Sequence, residues 1–145
     1  MEAVLLIGIQ ASGKTTFYLE RFFRTHLRLN LDMLRTRRRE RLLLAACLEA
    51  GQRFVVDNTN PTRADRARYV APARAARFTV VGYLLDVPPA EAVARNARRV
   101  GKERVPEQAI WATAARLEPP SPDEGFDALY RAVPTADGWE VTPLG

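Results

Sequence analysis

Gly8 and Gly13 enclose four residues, and Lys14 and Thr15 follow directly. Glycines admit backbone conformations closed to other residues and let amide N–H groups close around an anion. A lysine at this spacing can bridge the β- and γ-phosphates of a nucleoside triphosphate, and the next hydroxyl can ligate Mg²⁺. The pattern is that of a phosphate-binding loop, and its flanks agree. Residues 3–7 are a continuous apolar run, as a buried parallel strand reads. Residues 15–24 have helix character, which would aim a helix N-terminus at the same anion. The chemistry is ATP and Mg²⁺ binding, with Gly8, Ala11, Ser12, Gly13, Lys14, Thr15 and Thr16 as the contacts.

A nucleotide site does not identify an acceptor. Phosphoryl transfer to a hydroxyl needs a carboxylate near the incoming oxygen. Ligands of such folds collect at the carboxyl ends of the strands. Asp32 and Asp57 fall there. Asp32 and Arg35 share a face if a helix has begun. They read either as an acceptor-holding pair or as a capping aspartate with a surface arginine. Asp57 closes the apolar run Phe54-Val55-Val56, a Walker B-like pattern in which the carboxylate supports Mg²⁺ directly or through water. Arg95 and Arg99 are four apart on an expected helix, with Arg98 beside them, next to a loop containing Gly101. They suit a lid over ATP, or a solvated basic face.

The elements that must position these residues alternate. Strands are expected at residues 3–7, 27–31, 54–56, 78–85 and 129–133. Helices are expected at 15–24, at 33–50 with Gly51 as the stop, from the cap Thr62 to about 76, at 90–99, and from Pro106 to about 117. The loop 100–105 should be mobile, and Gly138-Trp139 suggests a small hairpin. This βαβ series predicts an α/β fold, a P-loop parallel sheet of about five strands with helices on both faces, in one domain over residues 1–145.

Charge is uneven along the chain. Residues 21–104 carry 19 basic and 8 acidic side chains, whereas residues 105–145 carry 2 and 7. Only Lys14 and Lys102 among the basic residues are lysines. The arginine bias fits planar phosphate recognition and equally a GC-rich genome. The basic middle favours a polyanionic partner without choosing among RNA, DNA and nucleotide. The one cysteine, Cys47, allows no internal disulfide and reads as a small apolar helix residue. With His26 also alone, no structural zinc site is expected. No apolar run can span a bilayer, and the start Met1-Glu2-Ala3-Val4 has no leader pattern. A cytoplasmic protein is expected.

Several segments together resemble the kinase domain of polynucleotide 5′-hydroxyl kinases. They are residues 8–16, Asn30-Leu31-Asp32-Met33-Leu34-Arg35, and Val55-Val56-Asp57-Asn58-Thr59-Asn60-Pro61. Further on come Arg66-Ala67-Arg68-Tyr69, Arg95-Asn96-Ala97-Arg98-Arg99, Val105-Pro106, and Pro120-Ser121-Pro122-Asp123-Glu124-Gly125-Phe126. They keep their order over most of residues 3–133. The resemblance implies an adenylate-kinase-like core with a lid at about 95–105, ATP entering one side and a DNA or RNA 5′ end the other. It implies Asp32 as general base, Lys14 and Thr15 on ATP and Mg²⁺, and Arg35 on the phosphate 3′ of the first nucleotide. It places Arg99 on the ATP phosphates, with Arg98 competing for that role, and Arg95 near the adenine. Asp57 supports the site. Many relatives carry a fused 3′-phosphatase, for which no segment is expected here. A small-molecule kinase and a non-catalytic ATP-binding switch are the competing readings.

Overall fold

The strand Glu2–Ile7 (β1) lies at the centre of the architecture, and Ala3 to Ile7 are fully buried. The computed structural model describes residues 1–144. A six-stranded sheet runs in the order β2-β3-β1-β4-β5-β6. The other strands are Leu27–Leu29 (β2), Phe54–Asp57 (β3), Thr79–Leu85 (β4), Ala128–Thr135 (β5) and Gly138–Pro143 (β6). All neighbouring pairs are parallel except β5 with β6. β1 is flanked by β3 and β4, with Val4 opposite Val55 and Val81. The order therefore reverses at β1, and the crevice beyond its carboxyl end is a switch point.

Side chains of β1 alternate between two cores, as a strand's period of two dictates. Ala3, Leu5 and Ile7 pack with Leu44, Cys47, Tyr69, Val70 and Ala73. These come from the helices Arg37–Ala50 (α3) and Arg63–Ala75 (α4). Val4 and Leu6 pack on the other face with Phe17, Tyr18 and Phe22, from or just beyond the helix Lys14–Arg21 (α1). A third cluster, including Ile9, Ala92 and Ile110, seats the helices Pro89–Ala97 (α5) and Glu107–Arg116 (α6) beside the loop. The sheet is thus covered on both faces, and Cys47 is an apolar core residue whose thiol burial pushes up.

Three elements differ from expectation. The helix expected over 33–50 is two helices: Leu31–Leu34 (α2) ends at Arg35, at φ 75°, and Thr36 caps α3 by accepting from the Arg39 amide. The strand expected over 27–31 stops at Leu29 because Asn30 caps α2, its side chain accepting from the Met33 amide. The helix expected over 90–99 ends at Ala97, so Arg98 and Arg99 lie in the turn beyond it and Arg99 does not share a helical face with Arg95. The hairpin at Gly138-Trp139 closes a full sixth strand, whose Trp139 ring meets Phe17 edge-on at 5.2 Å.

Candidate active site

The loop between β1 and α1 forms one wall of a cleft of about 1120 Å³. Gln10, Ala11, Gly13, Lys14, Thr15 and Thr16 line it. Gly13 sits at φ 96°, where a side chain is strained, and a Cβ there would also stand 2.8 Å from the Trp139 ring. Gly8 and Ser12 are packed against each other, and among the described residues the buried Ser12 hydroxyl has no hydrogen-bond partner. Lys14 Nζ donates to the carbonyls of Gly8 at 3.0 Å and Ile9 at 2.8 Å. Burial pushes its pKa down to about 8, and the Arg99 guanidinium adds to that, while Asp57 and Asp32 oppose it. Lys14, Asp57, Arg99 and Asp32 all line one cleft, and the other three act electrostatically on Lys14.

The Thr15 hydroxyl donates to Asp57 Oδ2 at 3.1 Å. Asp57 is 2% exposed, at the end of β3. A hydroxyl and a carboxylate at this separation fit a hard cation that keeps most of its ligands as water and phosphate, as Mg²⁺ does. Among the described residues no group of three or more His, Cys, Asp or Glu is placed to hold a metal. Arg28 shares this point: its Nε donates to Asp57 Oδ2 at 2.8 Å and its Nη2 to Thr15 Oγ1 at 3.2 Å.

The segment Asp57-Asn58-Thr59-Asn60 joins the two halves of the cleft. Asn58 Oδ1 accepts from the Leu31 amide at 3.0 Å, and its Nδ2 donates to Glu40 at 3.0 Å. Thr59 carbonyl accepts from the Gly8 amide at 3.0 Å. Asn60, at φ 48°, donates to the Leu6 carbonyl at 2.8 Å. Asn30 Nδ2 donates to the Asp57 carbonyl at 2.6 Å. Asparagine supplies both a donor and an acceptor and tolerates the left-handed conformation. These bonds fix the start of the phosphate loop and the start of α2 to one frame. Glu40, 2% exposed, anchors that frame by accepting from Tyr69 Oη at 2.9 Å and Arg37 Nη1 at 2.8 Å. Burial, then the neighbouring Glu40 carboxylate, pushes the Tyr69 hydroxyl pKa up.

Behind the frame, Arg66 is fully buried. It donates to both oxygens of Glu124, at 2.8 and 3.0 Å, and to the carbonyls of Asn60 and Pro61. Glu124 closes a capping box with Ser121, and Gly125, at φ 108°, lets the chain pass Arg74, whose Cδ would stand 2.8 Å from a Cβ there.

Asp32 lies exposed in the first turn of α2 and lines the cleft beside Arg35. Arg35 ends α2 on a left-handed backbone, a costly conformation for a side-chain-bearing residue. Among the described residues it has no salt-bridge partner, whereas Arg28 and Arg37 are paired with Asp57 and Glu40. Arg99 lines the opposite rim with Lys102 and Glu103, and its Nη1 donates to the Glu103 carbonyl at 3.2 Å. Arg98 is exposed outside the cleft walls. Arg95 also stands outside them, bonded to Glu91 at 3.2 Å and close to Gly13.

Sequence reasoning missed Arg28 and Glu40 as parts of the site. The signal for Arg28 was a lone charge inside the strand Leu27-Arg28-Leu29; for Glu40, one acid in an arginine run. Neither names its site partner, since Arg28 bonds Asp57 and Glu40 bonds Asn58 and Tyr69, all far along the chain.

A mostly parallel sheet reversing at a phosphate loop, with helices on both faces, defines a P-loop kinase-like fold. Residues 32–120 match the AAA domain family, and the chain belongs to that family. A bifunctional polynucleotide phosphatase/kinase of Schizosaccharomyces pombe is 28% identical over 131 residues, 86% of this chain and 32% of that protein. The chain thus spans about a third of the relative's length. The crystal structure of Chaetomium thermophilum Kti12 in complex with ADP-AlF3 is similar at TM-score 0.67 and 19% identity, over 89% of this chain and 87% of that one. A gluconokinase from Sinorhizobium meliloti is similar at TM-score 0.61 and 16% identity, over 91% and 82%. These structures share the fold. Among the described residues no helix is long and apolar enough to cross a membrane.

Proposed function

We propose that this chain transfers the γ-phosphoryl group of ATP to the 5′-hydroxyl of a nucleic-acid end, DNA or RNA, as one catalytic domain working in the cytoplasm. The observation that carries the reading is that Asp32 and Lys14 line one cleft, with Arg35 beside Asp32 and without a salt-bridge partner among the described residues. The curated relative, named a polynucleotide phosphatase/kinase, supports this acceptor. The gluconokinase supports the second reading, a small-molecule hydroxyl, through its fold.

In the proposed reaction the loop amides and Lys14 hold the triphosphate. Thr15 and Asp57 would hold Mg²⁺, which when bound neutralises charge on the β- and γ-phosphates. Asp32 orients the acceptor hydroxyl and takes its proton as the oxygen bonds to the γ-phosphorus. The bond from that phosphorus to the bridging oxygen breaks, and ADP departs. Arg35 holds the acceptor's first phosphate. Arg99 closes from the rim at about residues 95–105, acting as a lid that stabilises charge on the moving group. Its place on the cleft wall favours Arg99 over Arg98 for this role. Arg95, beside Gly13, serves the adenine end.

The test is label transfer from γ-labelled ATP with Mg²⁺ to a 5′-hydroxyl oligonucleotide, with its 5′-phosphorylated copy as control. Label on the first alone is expected. Asp32→Ala should lower transfer by roughly 10²–10⁴-fold while ADP binding persists. Absence of label on either strand, with ADP binding intact, moves the acceptor to a small molecule. Full transfer by Asp32→Ala removes Asp32 as the base.

A further inference from the structure

Among the described residues, Arg28 is the one guanidinium bonded to both side chains that fit a metal. Its Nε meets Asp57 Oδ2 at 2.8 Å and its Nη2 meets Thr15 Oγ1 at 3.2 Å. Its own side chain is 25% exposed, whereas that of Asp57 is 1% exposed. A carboxylate so deeply buried needs a positive partner. Lys14 does not supply one by contact, because its ammonium is turned onto the Gly8 and Ile9 carbonyls. Arg28 therefore neutralises Asp57. A divalent ion with oxygen ligands at about 2.1 Å at the Thr15–Asp57 point competes with the guanidinium for the same two oxygens.

We propose that Arg28 is a resident counter-ion of the metal point, exchanged for Mg²⁺ when the nucleotide arrives. The exchange replaces one charge by two at the buried carboxylate. It frees a guanidinium on β2, two residues before Asn30 and four before Asp32, on the acceptor half of the cleft. Metal entry and readiness of the acceptor side are coupled through one side chain. Without nucleotide phosphates to complete its ligands, Mg²⁺ does not displace Arg28, and the site rejects free metal. The inference rests on the nucleotide half of the proposed function and is independent of the acceptor.

The experiment titrates Mg²⁺ at fixed ADP and follows ADP binding by calorimetry for the native protein, Arg28→Gln and Arg28→Lys, with thermal melts in parallel. In Arg28→Gln the Mg²⁺ concentration giving half of the effect should fall roughly tenfold, the factor for one charge-assisted contact that no longer has to break. Arg28→Lys keeps the charge without the fork and should fall between the two. Without Mg²⁺ the Gln variant should melt below the native protein, and the gap should close at saturating Mg²⁺ and ADP. Mn²⁺ alone, followed by paramagnetic resonance, should bind the Gln variant and not the native protein. An unchanged Mg²⁺ midpoint in the Gln variant, a higher one, or ADP binding indifferent to Mg²⁺ in all three proteins overturns the proposal. Failure of the 5′-hydroxyl reading shows separately, as absent label on the oligonucleotide with the Mg²⁺ shift intact.

Discussion

Lys14 should give the cleft a pH signature. Burial holds its pKa at about 8, well below the free-lysine value, because the charged form is poorly solvated in the loop. Phosphate oxygens replacing the Gly8 and Ile9 carbonyls would favour the charged form and raise that pKa. The sign follows. Well below pH 8 the ammonium is charged with or without nucleotide, and binding moves little proton. Above pH 8 the free protein has lost the proton and the complex has regained it, so binding takes up a proton and affinity falls as pH rises. Calorimetry of ADP binding at pH 8.5 in buffers of different ionisation enthalpy should show uptake of part of a proton; Lys14→Met should abolish it. Uptake persisting in Lys14→Met would assign the titration elsewhere. At this scale the sequence singled out Lys14, Thr15, Asp57 and Asp32 because each stands inside a motif or at a strand end, and the structure brings all four to one cleft. It did not single out Arg28 or Glu40, whose roles are created by partners 29 and 18 residues away.

Among elements, the sequence revealed most where local chemistry decides. The Thr62 cap of α4 is an example: its hydroxyl accepts from the Asp65 amide. The break at Arg35 was hidden because residues 33–50 contain no glycine or proline, and nothing local asks for a left-handed residue there. What imposes the break is tertiary: Asn30 caps α2, Asn58 holds its first amide, and Thr36 restarts the chain as α3. The sixth strand was legible only as a hairpin because it is an edge strand, paired on one side. The segments joined by Arg66 and Glu124 are 58 residues apart, and their pairing supports the Asn60–Pro61 end of the frame. Removing one partner leaves a buried charge alone, which typically costs about 3–5 kcal/mol. Arg66→Ala should lower urea-unfolding stability by about that amount, and Arg66→Met with Glu124→Leu together by much less. Equal losses in the single and double variants would show that the carbonyl bonds of Arg66, not its ion pair, hold the frame.

Across the whole molecule the acceptor question becomes one of field. Lys14, Arg28, Arg35, Arg37, Arg99, Lys102 and Arg116 line the cleft against Asp32, Asp57, Asp65 and Glu103. Arg28 and Arg37 are already paired to acids, so Arg35 is the basic group best placed to meet a phosphate beside Asp32. A nucleic-acid acceptor bound through such contacts releases counterions, and its log affinity falls with log salt by about 0.7 per phosphate on a single strand. A neutral sugar or nucleoside releases none. The oligonucleotide KM should therefore rise with KCl at saturating ATP, with a log–log slope of at least about 0.7. Arg35→Ala should raise KM at low salt and remove about 0.7 from the slope, because it deletes one phosphate contact and leaves the nucleotide side intact. The matching control is ADP binding, whose salt dependence should be the same in both proteins. A native slope near zero would mean that the basic middle of the chain does not touch the acceptor. An unchanged slope in Arg35→Ala would assign the phosphate contact to another group, with Arg28, once released from Asp57, as the next to substitute.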